Sequence, residues 1–179
     1  NTQGSHNIAI GHRSLYTTSN GNNNIAIGSG AMYWSQFADN NIVLGNNALR
    51  SNSGGDFNIV IGDQAFYANS GGNQNVMLGY RAGRNVNGGS GNVILGPNAG
   101  PAGVTAPSNT LWIANKSGGS PLIFGNFTSG NIGIGTTNPI SMLSVGSSSN
   151  FQVNTAGDIV SIKNVSYLWP TSQGSTDSF

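Results

Sequence analysis

Short apolar clusters recur along the chain, each preceded by Asn and followed by Gly. They are Asn7-Ile-Ala-Ile-Gly11, Asn24-Ile-Ala-Ile-Gly28, Asn41-Ile-Val-Leu-Gly45, Asn58-Ile-Val-Ile-Gly62, Asn75-Val-Met-Leu-Gly79 and Asn92-Val-Ile-Leu-Gly96, each displaced by 17 residues from the last. Asn109-Thr-Leu-Trp-Ile113 keeps the phase, with Ile in the place of Gly. A second column lies three residues past each Gly, at Ser14, Ala31, Ala48, Ala65, Ala82 and Ala99. Beside it run Leu15, Met32, Leu49 and Phe66, then Gly83 and Gly100. A fixed period of this kind marks a repeat architecture. Seventeen residues are too few for a pair of helices and suit one turn of a β-solenoid.

The pattern predicts an all-β, parallel β-roll or β-solenoid of seven 17-residue coils over residues 1–113. A strand-rich connector over 114–145 and a short-stranded C-terminal region over 146–179 follow it. In each coil, Asn7, Asn24, Asn41, Asn58, Asn75, Asn92 and Asn109 are expected to stack as an amide ladder. Gly11, Gly28, Gly45, Gly62, Gly79 and Gly96 supply the bend after the strand. Alternation along a strand sends its middle side chain to one face and the flanking pair to the other. Both faces are apolar here, and a strand apolar on both faces is one that is buried on both. One face fills the thin coil and the other requires a partner surface. The middle column, Ala9, Ala26, Val43, Val60, Met77, Ile94 and Leu111, is assigned on this reading to a subunit interface.

Composition narrows the class. Charged residues make up 6% and net charge is +1, against roughly a quarter charged in ordinary domains. No apolar run approaches the ~18–20 residues of a spanning helix, so membrane insertion within the chain is not expected. The neutral balance argues against nucleic acid as a partner. There is no Cys, hence no disulfide or thiolate chemistry. The chain starts at Asn1 with no signal-like segment and reads as a piece of a longer protein.

The repeat Asn-Ile-Ala-Ile-Gly-x-x-Ala-Leu, with its Gly- and Asn-rich return, resembles the head repeats of trimeric autotransporter adhesins. It is closer to the 17-residue variant of bacterial and phage tail-fibre-like proteins. Gly133-Ile-Gly-Thr-Thr-Asn-Pro139 with Leu143-Ser-Val145, and the approach through Leu122–Asn126, resemble segments of the same fibres. The resemblance covers residues 6–145 well and the rest loosely. It implies a left-handed parallel β-roll, a homotrimer, and an extracellular place on a cell or virion surface, with the C-terminal strands wrapped around one another in the trimer. The function it implies is attachment and presentation without catalysis, with the chain itself and a cell-surface glycan or receptor as partners. A subunit of a polymerising filament and a carbohydrate-acting β-helix enzyme are the alternatives.

Candidate chemistry is sparse. Asp39 and Asp56 are one coil apart between Asn22 and Asn73, an oxygen-only column that suits Ca²⁺ if it binds any ion; the bland reading is a solvated loop, and no other cofactor is expected. His6 and His12 flank the first strand with no acid in phase. Tyr16, Tyr33, Arg50, Tyr67 and Arg84 share one column, with Trp34, Phe37 and Tyr80 nearby. Such a stripe suits carbohydrate stacking, and equally suits packing between coils or subunits.

Overall fold

The structure, a computed structural model, describes residues 3–146 and 151–162. Those residues form fourteen strands and no helix. The repeat strands β1 (Ile8–Ile10), β2 (Ile25–Ile27), β3 (Ile42–Leu44), β5 (Ile59–Ile61), β7 (Val76–Leu78) and β8 (Val93–Leu95) pair in parallel, residue on residue, at the 17-residue offset. β9 (Thr110–Ile113) joins them in parallel. Seven parallel strands bound about six turns of solenoid rather than seven complete coils. On a second side, β4 (Ser51–Asn52) pairs in parallel with β6 (Ala68–Asn69).

β1, β2, β3, β5, β7 and β8 each end at a Gly in the positive-φ region, from Gly96 at 112° to Gly45 and Gly62 at 140°. A β-carbon on Gly11 would also lie 2.6 Å from the carbonyl oxygen of Gly28 in the next turn. Backbone conformation and coil spacing therefore both require Gly at the bend.

The middle residue of each strand points into the coil. Ala26, Val43, Val60, Met77 and Ile94 are fully buried within the single chain, together with Leu15, Met32, Leu49, Phe66 and the Ala31–Ala99 column. The column expected at a subunit interface is thus the solenoid's own core, apart from Ala9, which is exposed in the first turn, and Leu111. A coil this thin admits only one side chain per strand, and the central one is placed to enter it.

The amide ladder forms as the repeat predicts from Asn7 to Asn92. Asn41 Nδ2 donates to Asn24 Oδ1 at 3.1 Å and to the Gly55 carbonyl at 3.0 Å, while its own Oδ1 accepts from the backbone N–H of Asn58 at 2.9 Å and from Asn58 Nδ2 at 3.0 Å. Asn109 does not continue it. The last turn contains one extra residue, so Val93 pairs with Leu111 and Ile94 with Trp112. Thr110 takes the ladder position, its N–H and hydroxyl donating to Asn92 Oδ1 at 3.1 and 2.7 Å.

Trp112 and β10 (Ile123–Asn126) close the core. The Trp112 ring meets Phe124 edge-on, centroids 5.2 Å apart, and its indole N–H donates to Thr110 Oγ1 at 3.2 Å. β10 and β11 (Asn131–Ile134) continue the sheet antiparallel, β12 (Leu143–Val145) pairs in parallel with β11, and β13 (Phe151–Val153) and β14 (Ile159–Ile162) add antiparallel strands. All pair with neighbours in their own chain, giving one sheet of twelve strands. Of the expected short-stranded C-terminal region, residues 147–150 and 163–179 lie outside the described residues.

Candidate functional site

The surface has three features built by the repeat, each on its own column. The first is apolar. Because the strand's central side chain is inside, the two flanking ones face out. Ile8, Ile10, Ile42, Leu44, Ile59, Ile61 and Leu78 are exposed, and Ile25, Ile27, Val76, Val93 and Leu95 half-buried. Registers carry both columns through the whole sheet. One runs Val93, Leu111, Gly125, Ile132, Leu143, Val153; the other runs Leu95, Ile113, Ile123, Ile134, Val145, Phe151. The one gap is Gly125, over which the Leu111 side chain lies, with its β-carbon 3.0 Å from where a Gly125 β-carbon would be.

The opposite face changes character along the same strands. It runs Ile94, Trp112, Phe124, then Gly133, Ser144 and Gln152. Past Phe124 the inward side chains are absent or polar, and Ser141 Oγ donates to Gln152 Oε1 at 2.8 Å. Gly133 leaves room for buried Thr136 to fold over it, whose Oγ1 accepts from the Asn138 N–H at 3.2 Å. In β11–β13 the only apolar face is therefore the outward one.

The second feature is polar and acidic. Asp39 Oδ1 accepts the N–H of Asn22 at 2.6 Å, Asp56 Oδ1 accepts that of Asp39 at 2.8 Å, and Asn73 Oδ1 accepts that of Asp56 at 2.7 Å. This ladder runs opposite in sense to the buried one: here each acceptor belongs to the later turn. The two carboxylates stand one turn apart as expected, each holding a backbone donor. Among the described residues no group of three or more His, Asp or Glu side chains converges on one point. His6 and His12 stay in the first turn's loops.

The third is the aromatic–arginine edge. Tyr16 stacks on Tyr33 with centroids 5.1 Å apart. The Arg50 guanidinium lies 5.0 Å from the Tyr33 ring and 4.8 Å from Trp34, and its Nη1 donates to the Tyr67 hydroxyl at 3.0 Å. Arg84 sits 5.5 Å from Tyr67 from the other side. The column is thus first a device for packing turn on turn, since its ring faces are largely occupied by one another. Tyr80 stands apart, with Arg81 over its ring at 4.8 Å. Phe37 is exposed beside the column. Arg81 was not singled out by the sequence reading; the signal was its position one turn after Gln64, to whose Oε1 its Nε donates at 3.1 Å. No helix among the described residues is long and apolar enough to cross a membrane. Comparison with protein-family models, with curated proteins and with solved structures finds no match to this chain in any of the three.

Proposed function

We propose that the chain is a rigid structural segment of a surface fibre, which assembles with copies of itself through the outward apolar face and serves in attachment and presentation. The observation that carries this reading is the pair of apolar columns running through all twelve strands while the inward face turns polar beyond Phe124. At ~4.8 Å per strand and roughly 7 Å between columns, the stripe is about 50 Å long and on the order of several hundred Å², which soluble monomers rarely leave open. A second copy is the occupant that fits. An identical chain carries an identical stripe at the same spacing, so Ile and Leu meet Ile and Leu along the full length. The resemblance to trimeric fibre heads favours three copies around the stripe, on an extracellular surface.

Catalysis is not part of this reading, because the ionisable side chains are spread along columns instead of gathered in a cleft. Negative-stain electron microscopy of the purified chain tests it. Short rods of uniform length support the fibre segment. Filaments of indefinite length would replace it with the polymerising subunit, and unassociated particles would refute both.

A further inference from the structure

The smaller sheet, away from the apolar stripe, carries a groove along the rod axis. Its floor is the column Ser51, Ala68 and Asn85, one turn apart and continuing from Trp34, which bridges to Ser51. Arg50, Tyr67 and Arg84 stand one residue before it in each turn, and Ser53, Ser70 and Asn87 border it on the far wall. Beside Ser51 and Ala68 lies a hollow of about 260 Å³ at the Trp34 end.

At the other end the regular spacing fails. Asn85 Nδ2 still reaches the carbonyls of Pro101 and Ala102, at 3.3 and 2.9 Å, but Val86 bridges to Thr105, 19 residues on. Two extra residues are therefore taken up in the exposed segment 102–104, and one is given back before Thr110, 18 residues after Asn92. Beside it opens a second hollow of about 180 Å³ lined by Arg81, Arg84, Asn85, Asn98, Pro101 and Ser117. Two guanidiniums face this space. Neither they nor Arg50 form an ion pair among the described residues. Cations gathered on one edge without counter-charges, in a chain with so few charges, are unusual.

We propose that this groove binds an acidic polysaccharide, with a carboxylate or sulfate group seated between Arg81 and Arg84 and the sugar chain running over Ser51 and Ala68 toward Trp34. Guanidinium forks match such oxyanions in geometry and charge. Arg50 and Arg84 are two turns apart, roughly 10 Å, so a linear polymer lying along the axis passes two guanidiniums of that column. Serine hydroxyls and the Asn87 amide on the far wall suit sugar hydroxyls, and exposed Trp34 offers apolar surface to a ring. The proposal rests on the reading of the chain as a surface-presented rod and names the class of receptor its edge takes.

The test is affinity electrophoresis of the full chain through gels containing polygalacturonate, heparin, dextran or duplex DNA, with light scattering on each sample. Retardation by polygalacturonate or heparin and none by dextran is expected, the two acidic polymers separating carboxylate from sulfate recognition. Arg84→Gln, and Arg81→Gln with it, are expected to weaken binding roughly tenfold or more, while Arg13→Gln leaves it unchanged. No retardation by either acidic polymer, equal retardation by DNA, or undiminished binding by the double variant with native circular dichroism would each overturn the proposal. Light scattering keeps the two readings apart, since assembly without binding removes only the receptor, and binding by a single chain removes only the fibre.

Discussion

The sulfur of Met77 stands 2.5 Å from the point where a β-carbon on Gly83 would lie, so these two positions share one space in the fifth turn. The same exchange runs up the rod in residues six apart. Ala26 goes with Met32, Val43 with Leu49, Val60 with Phe66, Met77 with Gly83 and Ile94 with Gly100. Where the strand residue is longest, at Met77 and Ile94, the residue opposite is Gly, because the interior of a turn is close-packed. Gly83→Leu alone is expected to destabilise by about 1–3 kcal/mol through overpacking. Joined with Met77→Val, it recreates the Val43–Leu49 arrangement and recovers most of that loss. Urea unfolding of both single variants and the double variant, at one protein concentration, checks this; additive effects would contradict a shared space.

The buried ladder gives a sharper loss. Asn58 holds Asn41 Oδ1 and the Gly72 carbonyl, and accepts two hydrogen bonds from Asn75. Asn58→Ala leaves several buried groups without partners at about 1–3 kcal/mol each, so a loss of roughly 3 kcal/mol or more is expected in the same unfolding measurement. Asn109→Ala, outside the ladder, is expected to cost far less, and equal losses would contradict the one-residue slip.

A second internal column explains which turns can carry Asn. Asn52 and Asn69 each bond the Gly three residues on, Asn52 to Gly55 and Asn69 to Gly72. In the turn before, the pair is Ser35 with Ala38, and the buried Ser35 hydroxyl has no partner, as has Thr18 below it. A β-carbon at Gly55 would press within 2.6 Å of Asn52 Oδ1, so Ala38 and Asn at position 35 exclude each other. Ser35→Asn is expected to lower the melting temperature, and Ser35→Asn with Ala38→Gly to restore or raise it. A double variant no better than the single would sink the coupling.

For the acidic column, Asp39→Asn preserves the acceptor for the Asn22 N–H, and neighbouring turns already use Asn22 and Asn73 there. Its effect on stability is expected to stay within about 0.5 kcal/mol, whereas Asp39→Ala removes the acceptor and costs about 1 kcal/mol. Thermal melts of the two variants decide it, and a large loss for Asp39→Asn would show that the negative charge itself matters.

The repeat, the amide ladder and the Gly bends were legible because identical residues stand at identical positions, and stacking in register requires that. Which strand face lies inside was not, because Ile, Ala and Ile are all apolar. The useful signal was size: Ala26 is small enough for a thin interior and is buried there. The slip in the last turn was hidden by Asn109, which imitates the ladder phase although Thr110 and Trp112 occupy the structural positions. The hollows were illegible for a different reason, since one of them opens where the spacing jumps from 17 to 19 residues across 102–104.

Sedimentation equilibrium measures self-association through the outward face, comparing the wild-type chain with an Ile42→Asp, Ile59→Asp variant and with Val43→Asp. Ile42 and Ile59 point outward and Val43 inward, so three separate outcomes are expected. The wild type sediments at a multiple of the 18.3 kDa chain mass. The outward variant falls to a single-chain mass with its β circular dichroism intact, and Val43→Asp loses the fold. A wild-type chain that stays at single-chain mass at every concentration would rule out assembly through the outward apolar face.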